Sequence, residues 1–389
     1  MKHLILTTIM SGCVAMSLNA ADPFADIESQ VVANNTDLTS LAGANEADNL
    51  AAASENNLSD PEIEFEHLWG KESVKWGAGI SQSFEWPGLY GARSKANKAG
   101  SEARRLMFES ERADLVFKSR QLMLEIVGIR QQMQFADSMI SNLEHLLATT
   151  QLAMQRGQAT RLDVSKARFA LLSLKQEREG YTDLLQTSRS QLVALNGGKN
   201  VDISSLDSYP QASLLAQNEY IEAFDNNAPF AAAMRARVEA ANAEAGAARL
   251  SSMPGFTVGY RHAYEEQTHF NGFSLGMSLP LFSGRHKRKA ADAAVLAEKL
   301  GADSYTINMH ADIAAAHTRA RRMQARLDDF RKVFDDCDYT GILTRLYENG
   351  QINVIDYINE INYYLGVRRE YLQLQNEYQL TLASLNRYL

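Results

Sequence analysis

Residues 74–91, VKWGAGISQSFEWPGLYG, and residues 267–284, QTHFNGFSLGMSLPLFSG, are two versions of one segment. Laid over each other they pair Gly79 with Gly272, Ser81 with Ser274, Pro87 with Pro280 and Gly91 with Gly284, always 193 residues apart. The same shift joins Pro61 to Pro254, Gly157-Gln158 to Gly350-Gln351, Asp163 to Asp356 and Glu177 to Glu370. Upstream, Asn34–Leu38 matches Asn226–Phe230 at a shift of 192, one gap away. A constant shift over this distance marks an internal duplication. The expected organisation is a first repeat over 21–198, a crossover linker over 199–213 and a second repeat over 214–389. The crossover follows Asn196-Gly197-Gly198 and is rich in Gly, Ser and Asp, the composition of a surface connection. Each unit reads as a short helix, two strands, a long helix, a turn and a second helix.

The strands are predicted over 61–69, 74–86, 254–264 and 271–282. In the first, Ile63, Phe65 and Trp69 oppose Glu62, Glu64 and Glu66. In the second, Trp76, Ala78, Ile80, Phe84 and Trp86 oppose Lys75, Gly77, Gly79, Ser81 and Ser83. In the third, Phe256, Val258, Tyr260 and Tyr264 oppose Thr257, Gly259 and Arg261. In the fourth, Phe273, Leu275, Met277, Leu279 and Leu281 oppose Ser274, Gly276 and Ser278. Such alternation gives each strand one apolar face, and these lengths suit tilted membrane-spanning strands. Trp69, Trp86 and Phe282 fall near strand ends, where interfacial aromatic belts form. Four strands cannot close a barrel, and open sheet edges are not tolerated in lipid. Spanning strands therefore require several copies of the chain. The alternative is a soluble sheet whose apolar face covers a helix.

The helices are predicted over 92–156, 161–195, 286–349 and 354–388. Leu115, Leu122, Ile129, Ala136 and Leu143 recur every seven residues, as do Ile126, Met133, Ile140, Leu147 and Met154. This spacing packs helices as coiled coils, and the longest would reach roughly 100 Å. Gly157 and Gly350 suit helix C-termini. Tyr357, Tyr364, Tyr371 and Tyr378 also recur every seven residues. They form either a packing seam or a wet inner wall with hydroxyls facing a lumen.

At the N-terminus, Lys2 and His3 precede an apolar stretch from Leu4 to Leu18, followed by Ala20 and Ala21. Residues 1–20 read as an export signal; Cys13, after Met10-Ser11-Gly12, offers lipoprotein processing as the other possibility. Beyond the signal only Cys337 remains, so no internal disulfide forms. No later apolar run is long enough for a transmembrane helix. The formal net charge of −8 gives no reason to expect nucleic acid as a partner.

These features resemble the TolC-like outer-membrane efflux protein family over nearly all of the mature chain. The most recognisable pieces are Ser278-Leu279-Pro280-Leu281-Phe282-Ser283-Gly284 and the two turns, Arg156-Gly157 to Leu162-Asp163-Val164 and Gly350 to Val354-Ile355-Asp356. Ser81-Gln82-Ser83-Phe84-Glu85 looks like the heavy-metal efflux branch. The resemblance implies a mainly α fold with membrane β-structure. Three chains would build a 12-strand β-barrel on a 12-helix α-barrel, the barrel in the outer membrane and the helical tunnel in the periplasm. It implies a passive exit duct for small molecules or metal ions, served by an inner-membrane pump and a periplasmic adaptor (membrane fusion protein). The outlet of a type I protein secretion system is an alternative. A soluble periplasmic coiled-coil scaffold is another, of a different class; it predicts a small sheet buried on both faces.

By position, the resemblance puts Asp356, Asp163 and Tyr347 at the periplasmic aperture. The hairpin tips Arg156, Gly157, Gln158, Gly350 and Gln351 would meet the adaptor. The sequence departs from the family at Ile352, where a gating Arg can sit, at Leu162, where a Thr can sit, and at Asn359, where a second acid can sit. An Arg–Asp latch at 352 is therefore excluded. Three Asp356 side chains would ring the mouth and favour cations; the plainer reading is that both aspartates cap their return helices. The expected lipid face is Phe65, Trp69, Trp76, Phe84, Trp86, Phe256, Tyr260, Phe273, Leu275 and Met277. The basic run Arg285, Lys287, Arg288 and Lys289 opposes a helix dipole at its start and is expected to meet lipid headgroups, as Arg93, Lys95 and Lys98 follow the second strand.

His67, His262 and His269 lie on or beside strands without metal-site spacing. Met133, Met154 and Met277 fall on apolar stripes. There is no Walker loop, no dinucleotide-binding Gly pattern and no Gly-x-Ser-x-Gly. The sequence therefore predicts no enzyme, no cofactor and no metal site.

Overall fold

The computed structural model describes residues 24–69, 74–265, 268–280 and 286–389. The export signal with Cys13, residue Arg285 and the motif residues 281–284 lie outside the described residues. In the first repeat, α1 (Ala25–Asn34) and α2 (Thr36–Ser54) lead into β1 (Glu62–Trp69) and β2 (Val74–Phe84). Then come α3 (Pro87–Gln155) and α4 (Arg161–Leu195). In the second, α5 (Gln217–Asn227), α6 (Pro229–Leu250), β3 (Gly255–Glu265) and β4 (Thr268–Ser278) precede α7 (Lys287–Asp335), α8 (Tyr339–Glu348) and α9 (Val354–Leu385).

The shift of 193 holds through the described helices of both repeats. It carries Thr36 onto Pro229, the starts of α2 and α6, so no gap separates the upstream match. It carries Gln155 onto Glu348 and Arg161 onto Val354, aligning both turns and both return helices. Each unit opens with two helices rather than one short helix. Helix α3 begins at Pro87, five residues before the predicted start. Proline suits the first turn because its missing N–H would be unbonded there anyway. Accordingly β2 stops at Phe84, and Trp86 is the residue before α3 rather than part of a strand. The fourth strand lies earlier than expected, at Thr268–Ser278.

The predicted helix over 286–349 is broken. Asp336, Cys337 and Asp338 separate α7 from α8, and the Asp338 carboxylate accepts the backbone N–H of Gly341 at 3.1 Å. An aspartate that caps a new helix competes with continuation of the old one. At the same place in the first repeat stand Leu143, Glu144 and His145, and α3 runs on unbroken for 69 residues, about 100 Å.

Packing sets the order of the helices. Helix α3 lies between α2 and α4 on one side and α6 and α9 on the other; α7 packs on α6 and α9. The short helices join end to end. Asn34 Nδ2 donates to Asn196 Oδ1 at 3.0 Å and Asn35 Nδ2 to the Leu195 carbonyl at 2.9 Å, seating the start of α2 on the end of α4. Asn227 Nδ2 donates to the Tyr388 carbonyl at 2.9 Å, seating α6 on the end of α9 in the same way. The wall therefore has four staves per chain: α2 with α4, α3, α6 with α9, and α7 with α8.

Three apolar clusters hold the staves. The first joins α1 and mid-α3 to the crossover, where Val201 and Leu206 are buried. The crossover is thus docked into the core rather than lying on the surface. Tyr209 follows, its hydroxyl donating to Asn376 Oδ1 at 3.2 Å. The second cluster gathers α5, α7 and α9, including Tyr371 and Tyr378; the third, below, joins α3, α4, α8 and α9 around Tyr357. The seven-residue tyrosine series is therefore a packing seam, and the wet-wall alternative fails. Arg368 sits over the rings of Phe334 and Tyr371 at 4.7 and 4.8 Å, a cation–π contact within the seam.

The four strands form one antiparallel sheet in the order β1-β2-β3-β4. Strands β2 and β3, from different repeats, pair at its centre, with Ile80 opposite Tyr260 and Phe84 opposite Phe256. The register stacks Phe65, Ile80, Tyr260 and Phe273 on one face and Glu64, Glu66, Gly79, Arg261 and Ser274 on the other. None of the described residues covers the apolar face: Phe273 is 86% exposed, Leu275 84% and Trp69 78%. The soluble-scaffold reading, which needs this sheet buried on both faces, does not hold for the single chain. No described helix is long and apolar enough to cross a membrane.

Candidate functional site

Two regions carry the chemistry this molecule offers: the sheet at one end and the hairpin tips at the other. At the tips the two repeats build the same turn. Gly157 has φ +74° and Gly350 φ +69°, left-handed values that favour glycine. Gly157 N–H bonds the Met154 carbonyl and Gln158 N–H the Ala153 carbonyl, at 3.0 and 2.8 Å. Gly350 and Gln351 repeat the pattern on Tyr347 and Leu346 at 3.0 and 2.9 Å. Both are Schellman closures, which satisfy the last carbonyls of the long helices. Arg156, Gln158 and Gln351 are exposed at these ends.

Both aspartates predicted for the aperture sit at helix starts. Asp163 forms a capping box: its Oδ2 accepts Thr160 N–H at 2.8 Å, and Thr160 Oγ1 accepts Asp163 N–H at 3.2 Å. These bonds from Thr160 hold the Asp163 carboxyl below the usual carboxylate range. Asp356 is the third residue of α9. Asn353 caps that helix by accepting the N–H groups of Ile355 and Asp356, both at 2.9 Å, and donates Nδ2 to Asp356 Oδ2 at 2.6 Å. Asp356 remains exposed. Tyr347 turns inward instead: its hydroxyl lies 2.9 Å from Thr150 Oγ1, and its ring packs 5.5 Å from that of Tyr357. Tyr347 thus ties α8 to α3 within the chain, above the tip. Ile352, where the latch is missing, packs into the lower apolar cluster.

Capping makes a testable difference between the two tips. Thr160→Ala removes the acceptor for Asp163 N–H and the hydroxyl that lowers the Asp163 pKa. Loss of such a cap costs about 1 kcal/mol. A folded pKa below the unfolded value stabilises fully above the unfolded carboxylate pKa of about 3.9 and is lost as pH falls through the lower folded value. Protection from hydrogen exchange at the 157–163 tip, taken against the intrinsic rate at each pH, should therefore fall below about pH 4 in the wild type and be lowered already at neutral pH in Thr160→Ala. Equal exchange in both proteins at pH 7 would refute this.

Sequence reasoning missed a network that joins the repeats beneath the middle of the wall. Arg369 on α9 pairs with Glu177 on α4, and the Tyr181 hydroxyl donates to Glu177 Oε1 at 2.8 Å. Burial and the hydrogen bond to Glu177 push the Tyr181 phenol up to about 12. The duplicated Glu177 and Glu370 gave a signal, but their partners differ: Glu370 binds Arg326 on α7 at 2.9 Å.

Of the ten residues predicted for the lipid face, nine share one face of the sheet, and Trp86 stands beyond the strand with its ring 6.2 Å from Phe256. On the opposite face Arg261 pairs with Glu66, and Lys75 with Glu265 at 3.1 Å. Of the basic run, Lys287, Arg288 and Lys289 are exposed at the first turn of α7, and none joins an ion pair among the described residues. Arg93 differs: Glu85 of the same chain holds its guanidinium with both carboxylate oxygens, one at 2.9 Å.

Both ends of the four-stave wall carry unpartnered apolar rows. On α4, Phe169 and Leu172 are exposed; on α7, Leu296, Leu300 and Ile307 are. The sheet is open in the same sense, with β1 at one edge and β4 at the other. Edges that differ from each other but each need cover define a head-to-tail contact, which closes into a ring when the rotation allows.

Residues 221–389 match the outer membrane efflux protein family. Solved structures match along almost the whole length. A membrane protein from Pseudomonas aeruginosa aligns with TM-score 0.77 and 16% identity, over 95% of this chain and 92% of that one. The outer membrane protein VceC of Vibrio cholerae aligns with TM-score 0.74 and 16% identity, over 94% of this chain and 95% of its own. The open-state MtrE outer membrane channel of Neisseria gonorrhoeae aligns with TM-score 0.76 and 15% identity, over 94% and 88%. No curated protein matches the sequence. The chain has the fold of the TolC-like outer-membrane channels, and its second repeat carries the sequence pattern of the outer membrane efflux proteins.

Proposed function

We propose that this chain is one protomer of the outer-membrane channel of a tripartite efflux system. Three copies close twelve strands into a barrel and twelve staves into a periplasmic tunnel. The channel is a passive duct, fed by an inner-membrane pump through a periplasmic adaptor that grips the tips around Gly157 and Gly350. The observation that carries this reading is the sheet: among the described residues one face is apolar and uncovered, the other is polar, and both edges are unpaired. In water such a sheet is unstable, since each fully exposed large apolar side chain forgoes about 1.5–3 kcal/mol of burial. In lipid it must be a closed cylinder. The exposed basic first turn of α7 then lies at the periplasmic headgroups.

The test is a detergent-extracted mass together with single-channel current in a planar bilayer. A trimer that conducts supports the proposal; a monomer stable in detergent-free buffer would end it. The exposed carboxylates of three Asp356 residues ring the periplasmic mouth in this reading and favour cations. Asp356→Asn is expected to reduce cation over anion permeability and to weaken divalent block. Unchanged selectivity would leave Asp356 with its helix-end role alone.

A further inference from the structure

We propose that His262 and His269 form a binding site for a divalent transition-metal ion of the zinc and copper class at the outer rim of the sheet. Seven residues apart in sequence, they are brought together by the β3–β4 register, which sets Tyr264 opposite His269 and His262 opposite Asn271. Side chains two positions out of step on one face are diagonal neighbours within reach of each other. His262 Nε2 stands 3.3 Å from His269 Nδ1. Two ligands of a tetrahedral ion, each about 2.0–2.1 Å from it, stand about 3.4 Å apart. The nitrogens are thus already at the separation a bound ion would impose.

A second feature prepares the pair. Asn271 Oδ1 accepts the Tyr260 hydroxyl at 2.9 Å and lies 2.7 Å from His262 Nδ1. A carbonyl oxygen only accepts, so Nδ1 of His262 carries the proton and Nε2 keeps its lone pair toward His269. This outer hydrogen bond is the one that fixes the tautomer of metal-bound histidines. The rings of Trp76 and Tyr264 flank the pair, Trp76 at 5.5 Å from His262 and Tyr264 at 4.9 Å from His269. The site stands at the end of the sheet away from the helices. Below it, the same face is apolar from Phe256 and Met277 up to Tyr260 and Phe273, so the histidines top the greasy band where water reaches them. Imidazole pairs suit zinc, copper and nickel, with water filling the other positions. Bound metal would clamp β3 to β4 beside their turn.

The experiment uses the full assembled protein in detergent, equilibrated with Zn²⁺ and, separately, Cu²⁺. Wild type is expected to hold one ion per protomer that both His262→Gln and His269→Gln lose and His67→Gln keeps. Asn271→Leu should weaken binding roughly 10–100-fold while leaving both ligands in place. Copper resonance spectra of the wild type alone should show two nitrogen ligands, a readout that needs no variant to assemble. A wild type without histidine nitrogens on copper, or binding unchanged in either His→Gln variant, would overturn the site.

Discussion

Leu275→Arg is expected to abolish the assembled, membrane-inserted protein, while Ser274→Arg, one residue away, leaves it in place. Leu275 points from the middle of β4 onto the apolar face and is 84% exposed in the single chain. An arginine facing the centre of a bilayer from a barrel strand costs about 2–4 kcal/mol. In the proposed ring of three the cost is incurred three times, roughly 6–12 kcal/mol for the assembly. Ser274 faces the opposite side beside Arg261, Glu66 and the glycines, where a long charged side chain meets water. The measurement is the fraction of protein in outer-membrane extracts running as a heat-sensitive oligomer. Equal loss in the two variants would mean that the faces have been assigned the wrong way round.

The second large effect is expected at Gly197. This residue has φ +63°, and a Cβ there would collide with the backbone carbonyl oxygen of Asn34, which has no rotamer to retreat to. Gly197→Ala incurs the left-handed penalty of about 1–2 kcal/mol. It must also push the start of α2 off the end of α4, where the Asn34–Asn196 and Asn35–Leu195 hydrogen bonds hold the joint at 3.0 and 2.9 Å. Each such bond contributes about 1 kcal/mol, so the total is roughly 3–4 kcal/mol. Gly198 provides the control. Its φ is +81°, but a Cβ there meets nothing within 4 Å, so Gly198→Ala incurs the backbone strain alone. Heat-unfolding midpoints of the two purified variants should differ clearly, with Gly197→Ala the lower. Matching midpoints would show that the joint yields without cost.

Much of this architecture was legible because three signals are local and appear twice. Alternation along the strands needs no partner to be read. The left-handed glycines at 157 and 350 announce their turns, and the shift of 193 ties the copies together. Features that depend on register or on competition were hidden. The break at Asp336–Asp338 has a capping signal, an aspartate three residues before Gly341, but that signal is weak inside a long helical pattern. The crossover looked like surface from its Gly, Ser and Asp content, although Val201, Leu206 and Tyr209 were there to be buried. The pairing of His262 with His269 cannot be inferred from a spacing of seven, because only the hairpin register makes them neighbours. At the tips, the sequence named Asp163 and Asp356 but could not reveal that Thr160 and Asn353 hold them.

The joints between short helices have a mechanical meaning. Two of the four staves are spliced, α4 to α2 and α9 to α6, and both splices fall at the level where α1, α5 and the crossover pack against them. A cooper would recognise a hoop laid over butt joints. Bending and twisting loads cross that level through α3 and α7 alone, and the hoop stiffens them there. Compliance is left to the skirt below it, where α7 gives way to α8 at Asp336.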